Sequence, residues 1–120
     1  LSLESLYIRY VLVGLYRDEN FTYARVAIVP NLKVSLIVES KAREIKCIEK
    51  LDQKYYLTSE VLGVIGIDSV CTIDMVATVK GRQRVKLVLN VVKDEVLKKL
   101  ACEAIFGSDT VLVLNPILLL

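Results

Sequence analysis

Between Ser5 and Arg17 apolar side chains fill both sets of alternate positions. Ile8, Tyr10, Leu12, Gly14 and Tyr16 form one face of a predicted strand, and Tyr7, Arg9, Val11, Val13, Leu15 and Arg17 form the other. Asp18-Glu19-Asn20 supplies turn chemistry, and Phe21 to Val29 reads as a second strand. Because neighbouring side chains point to opposite faces, a loop length can be tested by the register that keeps apolar faces together. A three-residue loop at 18–20 sets Leu15 opposite Tyr23 and Val13 opposite Arg25, while Leu12 meets Val26 and Tyr10 meets Ile28 on the core face. Treating Pro30-Asn31-Leu32 the same way sets Ile28 opposite Val34 and Val26 opposite Leu36. A two-residue loop there would bring Lys33 and Ser35 onto that face and is rejected. The result is an N-terminal three-stranded meander ending near Glu39.

The middle of the chain is less regular. Ser40 is a cap for a helix using Ala42, Ile45, Ile48 and Leu51, although Ile45-Lys46-Cys47 also alternates as a strand would. Thr58 or Ser59 starts a short helix through Ile65, with Gly66 as its left-handed stop. After Asp68 alternation returns. Cys71, Ile73, Met75, Ala77 and Val79 match Val85, Leu87, Leu89 and Val91 across a Gly81-Arg82-Gln83 loop, which sets Lys80 opposite Arg84 and Asp74 opposite Asn90. Asp94 caps a helix in which Leu97, Leu100, Ala101, Ala104 and Ile105 follow helical spacing up to Gly107. Val111–Leu114 and 117–120 read as a final strand bent at Pro116. Three strands, one or two helices, a β-hairpin, a helix and a C-terminal strand describe one compact α+β domain, residues 1–120, on a mainly antiparallel sheet.

Composition sharpens this picture. With 54% apolar and 25% charged residues and a formal charge of +2, the chain supplies enough apolar surface to close a core without a disulfide or a metal, and disorder is excluded. No apolar stretch approaches the roughly 20 residues needed to span a bilayer, so no membrane is expected. Cys47, Cys71 and Cys102 are odd in number, far apart and set among apolar neighbours, which fits reduced thiols packed in a cytoplasmic protein. Abundant Val, Ile, Lys and Glu with only Gln53 and Gln83 gives a thermophile-like balance. The chain starts at Leu1 and its one methionine is Met75, as expected of a processed product, a fragment or a non-standard start.

Chemistry is mostly excluded. Without histidine the chain holds no His-based metal site, triad or imidazole shuttle. Gly63 and Gly66 lack the Lys and Ser or Thr of a phosphate loop, and no cysteine or serine has an adjacent base. No catalytic residue, metal or cofactor is assigned. Three constellations remain. Tyr7, Arg9, Arg17, Phe21, Tyr23, Arg25 and Lys33 gather on the non-core face of the predicted meander, where rings and cations suit a protein partner or single-stranded RNA or DNA. Lys80, Arg82, Arg84 and Lys86 make a cationic hairpin tip suited to an anion. Ile117, Leu118, Leu119 and Leu120 form an apolar end that needs cover and suits self-association. The expected role is therefore a noncatalytic assembly or interaction module, a homo-oligomer or a subunit of a larger complex, with nucleic-acid binding as the alternative.

Overall fold

In the computed structural model, which describes residues 8–77 and 83–118, the first hairpin is tighter than the pattern predicts. β1 (Arg9–Arg17) and β2 (Asn20–Ile28) are antiparallel, with Arg17 opposite Asn20, Leu15 opposite Thr22 and Val13 opposite Ala24. The loop is the dipeptide Asp18-Glu19. Asp18 adopts the left-handed region at φ 54°, which an Asp tolerates and a two-residue loop requires. One residue less in the loop exchanges the two faces. Val13, Leu15, Ala24 and Val26 point inward and are buried, while Leu12, assigned to the core by pattern, is exposed. The bore of a small barrel explains the reversal: aliphatic side chains fill it, and the rings of Tyr10, Tyr16, Phe21 and Tyr23 are left outside.

The predicted meander does not form. β7 (Ala104–Phe106) lies between β2 and β3 (Leu36–Val38), parallel to the first and antiparallel to the second. β3 continues in parallel to β6 (Gln83–Val92), which is antiparallel to β5 (Gly63–Ala77). β5 returns to β1 through Leu15↔Met75 and Tyr16↔Asp74. Six strands thus close an α+β mixed barrel in the order β1-β2-β7-β3-β6-β5, and the mainly antiparallel sheet is corrected to a mixed one.

The remaining elements depart from the pattern for identifiable reasons. α1 is confined to Glu39–Glu44, because Lys46 turns left-handed at φ 54° and sends Cys47 into β4 (Ile48–Ser59). Residues 58–65 are strand and turn, not helix. Asp94–Leu100 is a 3-10 helix ended by Ala101 at φ 52°, so Ala104 and Ile105 belong to β7. The C-terminal strand is instead α2 (Ser108–Leu118). In the second hairpin Arg84 faces Val76 and Lys86 faces Asp74. The predicted partners Lys80 and Asn90 are thereby replaced, and Lys80 itself lies outside the described residues.

The barrel is built from two equivalent halves that share no visible sequence repeat. β1-β2-β3-α1 and β5-β6-β7-α2 each run hairpin, crossing connection, strand, helix. Their pairings correspond: the parallel pair Val26↔Ala104, from β2 of the first half to β7 of the second, matches Val91↔Ile37, from β6 of the second to β3 of the first, and Ile37↔Ala104 and Tyr16↔Asp74 join equivalent positions. Since β3 and β7 are antiparallel, α1 and α2 stop opposite ends of the bore. Ala42 and Ile45, in and just after α1, and Leu114 of α2 all belong to the inner core that holds Phe106, Ile73 and Leu89. A second apolar cluster lies outside the barrel, where the arm formed by β4 and the first part of β5 covers Ala27, Leu36 and Ile105 with Ile65 and Ile67.

Asp94 does not cap its own helix. Its carboxylate accepts the Ser40 N–H at 3.0 Å, across the start of α1. Hydrogen bonding from Ser40 holds the Asp94 carboxyl below its ordinary value of 3.8. The stabilisation is therefore complete above that value and is lost as pH falls through the lower folded-state value. Asp94→Ala should cost about 1 kcal/mol at pH 7. Urea midpoints of the two proteins should converge near pH 2, and a difference of constant size would rule out a charged cap.

Candidate interaction surface

The arm covers the outer face of β1 and β2 at its Tyr10–Ala27 end, where Ala27 is fully buried, and leaves it bare farther along, at Leu12, Phe21 and Tyr23. Down this face run the pairs Tyr10↔Ala27, Leu12↔Arg25, Gly14↔Tyr23 and Tyr16↔Phe21. The Tyr16 and Phe21 rings sit 4.6 Å apart between centroids, and Phe21 meets Tyr23 edge-on at 4.8 Å. Gly14 makes this possible. A Cβ there would stand 2.9 Å from Phe21 Cε1, so the ring lies flat over the strand because position 14 has no side chain. Leu12 is 72% exposed, Tyr23 59% and Phe21 40%, which makes one contiguous apolar patch.

Arg25 flanks this patch but is already committed. Its guanidinium lies 4.2 Å from the Tyr10 ring centroid, and its Nε donates to the Ala101 carbonyl at 2.9 Å. The Tyr10 hydroxyl donates to the Leu100 carbonyl at 2.7 Å, so both side chains tie β1 and β2 to the end of the 3-10 helix.

The predicted constellation is therefore split. Phe21, Tyr23 and Arg25 do share a face. Arg9 and Arg17 belong to the opposite set of β1, and Arg17 Nη1 donates to the Thr72 carbonyl at 2.7 Å across the β1–β5 seam. Lys33 lies in the β2–β3 connection, beside a different hollow. Tyr7 lies outside the described residues. Of the cationic tip, Arg84 and Lys86 are exposed on β6 opposite Val76 and Asp74, while Lys80 and Arg82 lie outside the described residues. Ile117 and Leu118 fall in the last turn of α2, their side chains outside the description, as are Leu119 and Leu120. Pattern reading missed Leu12, Tyr10 and Tyr16 by assigning them to the core, and it missed the exposed Leu112 and Val113 of α2. Bulk was the available signal, since four rings on two short strands exceed what a narrow bore holds.

Other polar groups serve the frame. The Tyr55 hydroxyl donates to Asn90 Oδ1, Asn90 Nδ2 donates to the Ser35 carbonyl at 3.0 Å, and Ser35 Oγ donates to Asp109 Oδ1 at 2.7 Å. This chain of bonds ties the arm to β6, the crossing connection and the start of α2. Burial, with the Asp109 carboxylate in support, pushes the Tyr55 phenol up. Among the described residues no buried side-chain polar atom lacks a partner, and no cluster of three metal-binding side chains occurs. Cys47 and Cys71 are joined in a disulfide, against the expectation of three free thiols, and Cys102 is buried with its thiol raised by that burial. No helix among the described residues is long and apolar enough to cross a membrane.

No protein-family model matches the chain, and neither a curated protein nor a solved structure shows significant similarity to it.

Proposed function

We propose that the protein is a noncatalytic assembly module that associates with a second copy of itself through the outer face of β1 and β2. The observation that carries this reading is the contiguous exposure of Leu12, Phe21 and Tyr23 on the part of that face that the arm does not cover. Exposed apolar area of this kind on a rigid sheet is surface whose burial favours association. A second copy offers the same exposed face, so a two-fold pairing would bury Leu12, Phe21 and Tyr23 against their equivalents.

Single-stranded nucleic acid is the weaker reading on this geometry. Stacking on Phe21 and Tyr23 would need free cations alongside for the phosphates; Arg25 is held by Tyr10 and the Ala101 carbonyl, and Arg9, Arg17 and Lys33 lie elsewhere. Sedimentation equilibrium at tens of micromolar distinguishes the two. A dimer is expected, weakened at least tenfold by Leu12→Asp, with no change in oligonucleotide anisotropy at low salt. A monomeric parent protein would refute self-association, and salt-dependent oligonucleotide binding lost in Tyr23→Ala would transfer the face to nucleic acid.

A further inference from the structure

A hollow of about 570 Å³ opens between the β2–β3 connection and the tip of the β4–β5 hairpin, away from the Leu12 face. Its floor is the buried pair Leu100 and Ile105, and its walls are Leu32 and Val34 on one side and Leu57 and Leu62 on the other. At this volume the hollow lies within the range of small-molecule sites. Hydrogen bonds keep both walls apart. Ser108 N–H donates to the Leu32 carbonyl at 2.7 Å and fixes the connection, while the Tyr55–Asn90 bond fixes the arm.

We propose that this hollow binds a small uncharged ligand with an aliphatic body. The floor and walls reward apolar surface, and the polar groups at the mouth do not select a charge. Lys33 and Glu60 both line it, and no ion pair joins them among the described residues. An ionic ligand that gained from one would be opposed by the other. The Ser59 hydroxyl oxygen already accepts the Val61 and Leu62 N–H groups at 3.2 and 3.3 Å. With every buried side-chain polar atom among the described residues satisfied, no side chain of the site demands a hydrogen bond from within.

The uncharged dye N-phenyl-1-naphthylamine tests this by fluorescence titration, with decan-1-ol and decanoate as competitors. A saturable rise is expected, displaced by decan-1-ol at least tenfold more effectively than by decanoate. Leu32→Gln and Leu62→Trp, one adding a polar group to the wall and one filling the space, should each weaken dye binding at least tenfold. Circular dichroism of both variants must match the parent, and whichever variant folds carries the test. Leu12→Asp should leave the titration unchanged, so failure of the assembly reading and failure of this one are separable. Absence of a saturable rise, or dye binding that neither folded variant weakens, would overturn the site. Preference for decanoate that disappears in Lys33→Gln would overturn the uncharged class.

Discussion

Gly107→Ala is expected to destabilise the protein by about 3 kcal/mol or more, a large share of the stability of an ordinary domain. Gly107 joins β7 to α2 at the point where the β2–β3 connection crosses over the end of β7. A Cβ at this position would overlap the carbonyl oxygens of Leu32 and Val34 and stand 2.8 Å from the Val34 carbonyl carbon. All three are backbone atoms, so no rotamer change relieves the contact. Displacing the connection would in turn break the Ser108 N–H bond to Leu32 and the 3.0 Å bond from Gly107 N–H to Ser35 Oγ. Gly63→Ala gives the contrast. Gly63 has φ 76° but open space around its missing Cβ, so the cost there is the left-handed backbone alone, about 1 kcal/mol. Urea unfolding of both variants checks the order, and equal losses would mean that the crossing does not press on Gly107.

Both glycines show why the pattern along the chain tells only part of the fold. Pattern reading assigned Gly107 as a helix stop, because Leu97, Leu100, Ala101, Ala104 and Ile105 keep helical spacing. Ala101 is exposed, and the other four are buried for two separate reasons. Leu97 and Leu100 pack under the arm, and Ala104 points into the bore from a strand three residues long. A strand so short has no periodicity to read, and β3 is equally short. Their places in the middle of the barrel come from pairings distant in sequence, which local alternation cannot specify. The α+β class, the first hairpin and the β5–β6 faces were legible, because long strands alternate reliably and the second hairpin's register error of an even number of residues preserved its faces. The first hairpin's error was odd, and it inverted the candidate surface. Phe21, Tyr23 and Arg25 survived as a group only because they lie on one strand at alternate positions. The C-terminal helix was hidden by its composition: Val-Leu-Val-Leu reads as strand, yet among its described side chains Thr110 and Leu114, one helical turn apart, are the buried ones.

Breaking the Cys47–Cys71 bond should be the other large effect. Its residues are separated by 24 positions, enclosing all of β4 and the first half of β5. Closing a loop of this length removes entropy from the unfolded chain, an effect of about 3 kcal/mol on the chain-entropy account. For a chain of this size that corresponds to a fall of roughly 10–15 °C in Tm. The bond also anchors the base of the arm: Cys71 faces the inner core beside Leu89, and Cys47 leads directly into β4. Reduction should therefore loosen the arm before the barrel, since the arm is held farther out by Tyr55–Asn90 and the outer apolar cluster. Thermal unfolding with and without dithiothreitol measures the loss, and a Cys47→Ala, Cys71→Ala double variant should match the reduced protein and ignore the reductant. Thiol titration in denaturant gives an independent count: one thiol, Cys102, in the oxidised chain and three after reduction. Three thiols without reductant would show the bond to be unformed, and would restore the reading of Cys47 and Cys71 as small apolar side chains. With the bond formed, a cytoplasmic setting agrees only with a cytosol that sustains disulfides, as hyperthermophiles maintain.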